Sequence, residues 1–278
     1  MGTIDQHSPF SAGESHGNLP IGDELAVLSG RLGVMGGLAE AQLAAAIDAL
    51  ATRDSEAAAG VVTGDAAVDE LETEVNSRAM RLLTLHAPVA ADLREIVGAL
   101  KISSNVERIG DYSANVAKRC VIVNEYPPVP ALGGVIELGR LVCQYVQHTF
   151  DAYAERDVAK AEAVWRGDAD IDALHTSVFQ NLLSDMLVES DHVLACTHLM
   201  FVIKNFERIG DHATNIAETI QFLVGGTLIV ERRPKRATPP NFNTNAAPRK
   251  TNVSPAPSPG GTPSAQTPDV NNVLGGQP

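Results

Sequence analysis

The chain has 278 residues, a formal net charge of −13 and only 4% aromatic residues. That length leaves room for one or two domains with cores of their own, and few aromatics beside abundant Ala and Leu favour helices over strands. Cys120, Cys143 and Cys196 are odd in number, far apart and without a CxxC, which argues against a disulfide framework or a thiolate zinc site and for small buried hydrophobes.

Met1 to Pro20 holds no apolar segment of signal-peptide length, and no run of about 18 apolar residues follows to span a bilayer. A flexible N-terminus over 1–20 and a cytoplasmic location are expected. From about Ile21 apolar residues fall at helical spacing: Leu25, Leu28, Leu32, Met35 and Leu38, then Leu43, Ile47 and Leu50. Asp23 is the expected cap. A second helix should run from about Asp54 to Leu85 and a third from about Val89 to Val123, bent apart at Pro88. Pro127, Pro128 and Pro130 break the chain. Three more helices follow, from about Ala131 to Glu155, Asp157 to Val188 and Asp191 to Val224, with Gly225 and Gly226 as the stop. Ten of the sixteen prolines lie beyond Val230 among Ser, Asn, Thr and Gly, so 231–278 is expected to be a disordered tail.

Within this plan the chain repeats itself. Asn105, Val106, Glu107, Arg108, Ile109, Gly110 and Asp111 return 100 residues later as Asn205, Phe206, Glu207, Arg208, Ile209, Gly210 and Asp211. Upstream, with an offset of 103, Arg53 and Asp54 match Arg156 and Asp157, and Gly64, Asp65, Asp69 and Leu71 match Gly167, Asp168, Asp172 and Leu174. Long helices joined by short turns must lie antiparallel. The expected fold is all-α: two tandem three-helix bundles, 21–125 and 131–226, related by internal duplication.

Residues 231–278 carry six Lys or Arg against Glu231 and Asp269, leaving the preceding 230 residues at −17. Such a body repels nucleic acid. The basic run Arg232, Arg233, Lys235 and Arg236 reads as a solvated tail or a contact for an acidic membrane or partner.

Each unit holds two acidic pairs at i, i+4: Asp65 with Asp69 and Glu107 with Asp111, then Asp168 with Asp172 and Glu207 with Asp211. Four-residue spacing puts both members on one helix face, where like charges destabilise a bare helix. An antiparallel hairpin about residue 88 sets Asp65 opposite Asp111 and Asp69 opposite Glu107; one between Glu189 and Ser190 does the same for Asp168 with Asp211 and Asp172 with Glu207. Facing helices lie about 8 to 10 Å apart, close enough for four carboxylates to share a cation. Oxygen ligands suit magnesium, manganese, calcium or ferric iron, and zinc accepts them too. Asn115 and Asn215, a turn further on, could add a carbonyl oxygen. The alternative is a solvated face with Arg108 and Arg208 as neighbours, although Arg beside Glu at i+1 points elsewhere. Gly110 and Gly210 suggest close approach of a backbone or ligand, or tight packing. Cys196, set at i, i+4 from His192, stands about 16 Å of helix from Glu207, so the pair cannot join it.

These tandem ERIGDxxxN motifs with DxxxD partners upstream closely resemble the PhoU family of bacterial phosphate-signalling regulators, over about residues 22–224. The resemblance implies a cytoplasmic, non-catalytic adaptor that represses the phosphate-starvation response and restrains high-affinity phosphate uptake. Its implied partners are the phosphate-sensing histidine kinase and the ATPase and permease of the phosphate ABC transporter, with membrane association through them. It also implies iron or zinc clusters on the paired motifs, mapping to Asp65, Asp69, Glu107, Asp111, Asp168, Asp172, Glu207 and Asp211, with manganese or magnesium as further candidates. A homodimer is expected of such an adaptor.

Two alternatives stand beside it. A di-iron carboxylate enzyme characteristically uses Glu-x-x-His, and only His175, three residues after Asp172, fits; the equivalent position 72 is Glu. A metal-free acidic module would dock on basic partners by charge complementarity. No nucleophile triad is evident, and Gly36 and Gly37 lack the following Lys-Ser or Lys-Thr of a phosphate loop.

Overall fold

The computed structural model describes residues 20–226, and over them the chain is helical with no strand. The expectations for the N-terminus, the 231–278 tail and the basic run at 232–236 therefore lie outside the described residues, apart from Pro20. The helices are α1 (Ile21–Thr52), α2 (Ser55–Gly64), α3 (Ala66–His86), α4 (Ala90–Val123), α5 (Leu132–Glu155), α6 (Val158–Val188) and α7 (Val193–Gly225). α2 and α3 are two lengths of one expected helix, so six helices form two units of three.

Local chemistry sets the ends. Arg53 and Arg156, which match in the repeat, both take the left-handed conformation that closes α1 and α5, with φ of 56° and 53°. The Asp that follows each then caps the next helix: Asp54 accepts from the backbone N–H of Glu56 and Ala57, and Asp157 from those of Ala159 and Lys160. One carboxylate oxygen thereby satisfies two otherwise unpaired N–H groups of the first turn within a two-residue connection. Arg53 also reaches the end of α4, donating through Nη2 to the carbonyls of Val123, Asn124 and Tyr126.

Three sequence expectations change. The helix from Asp54 to Leu85 is interrupted for one residue at Asp65, which keeps helical φ and ψ of −57° and −38°: Gly60 and Gly64 weaken it, nothing packs over either glycine, and the Asp65 carboxylate is held by a side chain from α1. The last helix begins at Val193 rather than Asp191, after a 3-10 turn at Ser190–His192. Asp23 is not the cap of α1, since Pro20 stands there; Asp23 lies in the first turn, where a negative charge suits the helix dipole.

The two units share one continuous core. Its spine is the antiparallel pair α4 and α7, along which Lys101 lies 5.8 Å over the Phe222 ring, Arg208 5.4 Å over Tyr112, and Arg119 4.6 Å over Phe201. α1 and α5 cross on one side of it. There the matching Gly36 and Gly139 admit neighbours no side chain would allow: a Cβ on Gly36 would collide with Phe150, and one on Gly139 would meet Phe206 Cζ at 2.7 Å and Ile47 Cγ1 at 3.1 Å. α1 is long and apolar enough to cross a membrane, yet its stripe of Leu28, Leu32, Met35, Ala39, Leu43, Ala46, Ile47 and Leu50 is buried in this core. Burying each such large side chain contributes about 1.5–3 kcal/mol. Cys120 and Cys196 are buried and Cys143 half-buried, all as free thiols whose pKa burial raises.

Candidate functional site

The hairpin of α3 and α4 brings Asp69, Glu107 and Asp111 within electrostatic reach of one another, with Asp65 beside Asp69 at the start of α3, and that of α6 and α7 does the same for Asp172, Glu207 and Asp211, while Asp168 lies next to Thr214. The electrostatics record the crowding. Burial, then Asp65 and Asp111, raise the pKa of Asp69. Burial and then Asp111, with Glu72 and Asp69 adding and Arg108 opposing, push Glu107 up to about 7. In the second unit, burial and then Glu207 and Asp211 raise Asp172, against His175 and Lys204. Desolvation plus like charges is the physics of a site that favours an added proton or cation.

The positive neighbours differ from expectation. Arg108 does not point away: its Nη1 lies 2.8 Å from Asp111 Oδ2 and its Nε 3.2 Å from Glu107 Oε2. Arg208 does turn elsewhere, onto Tyr112 of the other unit, and Lys204 pairs with Glu207 instead. Arg108 and Lys204 are each about half exposed, and exposed pairs of this kind contribute roughly 0–1 kcal/mol. They leave the like-charge crowding largely in place.

Asn215 reaches towards the other unit with its amide nitrogen. Its Nδ2 donates to Asn105 Oδ1 at 3.3 Å across the α4/α7 spine, where His212 Nδ1 also lies 2.8 Å from the same oxygen. His192 sits 3.4 Å from Glu189 at the start of α7, as a structural group.

Three contributors were not assigned from sequence. Gln42 of α1 donates from Nε2 to Asp65 Oδ1 at 2.9 Å, and its Oε1 is buried with no hydrogen-bond partner. A polar residue inside the otherwise apolar stripe of α1 was the available signal. Glu72, one turn beyond Asp69, adds a charge facing Glu107. Thr214 donates to Asp168 Oδ1 at 3.4 Å, and its match in the first unit is Ala114. His175 does join the second face, but burial lowers its pKa and its ring stacks on Phe179. The first unit has Glu72 there, so the paired Glu-x-x-His pattern of di-iron enzymes is not built.

Gly110 and Gly210 are explained by close approach. A Cβ on Gly110 would lie 3.2 Å from Gln42 Oε1 and 3.3 Å from Asp65 Oδ1; on Gly210 it would lie 3.0 Å from Ile171 Cδ1. The first glycine makes room for two oxygen atoms and, at 3.3 Å, a Val68 methyl group, the second for a methyl group of Ile171. Among the described residues, no three His, Cys, Asp or Glu side chains are already gathered about one point as a metal-holding group. The donor chemistry is nonetheless oxygen throughout in the first face, which suits hard cations, and the orphaned Gln42 oxygen is a buried acceptor still lacking a partner.

A family model described as the PhoU domain matches residues 32–120 and again 135–220. A phosphate-specific transport system accessory protein PhoU homolog of Caulobacter vibrioides is 45% identical over 215 residues, which cover 77% of this chain and 94% of its own. The chain belongs to the PhoU family. A PhoU homolog of the same description from Xylella fastidiosa is 43% identical over 221 residues, covering 80% and 92%. The crystal structure of PhoU from Pseudomonas aeruginosa superposes with a TM-score of 0.73 at 32% identity, over 75% of this chain and 100% of the other. Two copies of the PhoU domain account for the repeated motif and the paired three-helix units. The PhoU family is one of regulatory accessory proteins rather than catalysts, which answers the di-iron enzyme alternative.

Proposed function

We propose that this chain regulates phosphate uptake and the phosphate-starvation response by binding rather than by catalysis, from the cytoplasm and as a homodimer. The observation that carries the regulatory reading is the doubled PhoU domain with its close relatives, themselves described as accessory proteins of phosphate-specific transport. The partners we assign are a phosphate-sensing histidine kinase and the ATPase and permease of a phosphate ABC transporter, through which the chain meets the membrane. A net charge of −17 before residue 231 favours such protein partners over nucleic acid.

The carboxylate faces are proposed as cation sites held by Asp65, Asp69, Glu107 and Asp111 in one unit and Asp168, Asp172, Glu207 and Asp211 in the other. Iron or zinc are the first candidates, then manganese or magnesium. A cation there would neutralise carboxylates that now repel one another and order each hairpin as a docking surface. The crowding that raises Asp69, Glu107 and Asp172 supports this reading.

The functional test is a phosphate-controlled promoter reporter in cells lacking the chain, grown with ample phosphate. Loss of the chain is expected to switch the reporter on and its return to silence it. A reporter silent in both cases overturns the regulatory reading.

A further inference from the structure

The two carboxylate faces match in sequence but differ in the wall that α1 or α5 lays against them. In the first unit that wall carries Gln42, whose side chain is only 8% exposed. One end of its amide is used, Nε2 donating to Asp65 Oδ1 at 2.9 Å; the other, Oε1, is buried without a hydrogen-bond partner. Buried polar atoms are seldom left so, and the missing partner is typically a water or an ion. Oε1 stands beside Asp65 Oδ1 over Gly110, the residue before Asp111 in the helical stretch that also carries Glu107. Any larger residue at position 110 would press on both oxygens.

Resting on the cation reading of these faces, we propose that Gln42 is itself a ligand, supplying an uncharged carbonyl oxygen to a hard divalent cation held with Asp65, Asp69, Glu107 and Asp111. Amide carbonyls are ordinary ligands of such ions, filling a position without adding another repelling charge. The second unit carries no amide at the matching position. Tyr145 replaces Gln42, its ring fills the space over Gly167, and its hydroxyl donates to Asp170 Oδ2 at 3.4 Å. Gly210 there faces Ile171 rather than an amide. On this proposal the first face offers oxygen donors alone, while the second carries the His175 ring beside Asp172.

The test is titration of manganous ion into the full-length, chelator-treated chain, with free ion read by electron paramagnetic resonance. Asp211→Asn disables the second face, and Gln42→Leu and Gln42→Glu are made on that background. Gln42→Leu is expected to weaken manganese binding about tenfold or more, the scale on which groups around a metal act. Gln42→Glu is expected to bind at least as tightly as Gln42. Both variants remove the N–H that holds Asp65, so a residue that only positions Asp65 would weaken binding in both. Weakening by Glu, or no change with Leu, overturns the ligand role while leaving a cation site. Absence of manganese from the Asp211→Asn chain with Gln42 intact overturns the first site and the ligand role together.

Discussion

Glu107 shows how a single residue reports the balance of its site. Its carboxyl titrates near 7 in the folded chain because burial and then Asp111 oppose its charge, whereas the unperturbed value is 4.5. The folded state therefore holds a proton between about pH 4.5 and 7 that the unfolded state has released. Stability from this group is fully present below about 4.5 and falls as pH rises through about 7. Asp69 and Asp172 are raised as well and act in the same direction. With cations chelated, Glu107→Gln should be more stable than the parent at pH 8 by on the order of 1–2 kcal/mol after solvent screening, and the gap should close at pH 4. Urea unfolding at the two pH values measures this; an equal gap at both contradicts the assignment. At this scale the crowding around Asp69, Glu107 and Asp172 was legible because i, i+4 spacing and hairpin register are properties of the chain itself. Gln42 was not, since its role depends on which residue α1 presents to Asp65 after three helices have packed.

At the scale of elements, the repeated Arg-Asp pairs are the connections that let each hairpin turn in two residues. Asp157 accepts two backbone N–H groups at 2.8 and 3.1 Å, so Asp157→Ala should cost about 1 kcal/mol of stability. Equilibrium urea unfolding at fixed pH is the check, and an unchanged midpoint would show that the cap contributes nothing. The sequence displayed these pairs as matching positions without displaying their purpose, because a left-handed Arg leaves no mark in composition. Helix positions were legible from apolar spacing and from Pro88 and the Pro127 to Pro130 cluster. The break at Asp65 was not: the matching Gly167–Asp168 runs on uninterrupted inside α6, so similar local sequences end differently according to what packs on them.

In the molecule as a whole, duplication has produced two units that share a core rather than two separate bundles. The antiparallel α4 and α7 relate the units, and the matched glycines Gly36 and Gly139 let α1 and α5 cross closely. The repeated motif made the duplication legible, but not the spine, because the positions that join α4 to α7 look like ordinary core in either helix alone. Membership of the PhoU family and a carboxylate-bearing hairpin in each of two units that share a core are what the proposal of regulation by binding rests on. Whether those surfaces are ordered by cations is most directly measured by elemental mass spectrometry of the untagged chain purified without chelator, beside an Asp111→Asn, Asp211→Asn double variant. One or more iron, zinc or manganese ions per chain, lost in the folded double variant, is the expected result. A parent chain free of these metals, or a variant that keeps them, would contradict the cation-bearing faces.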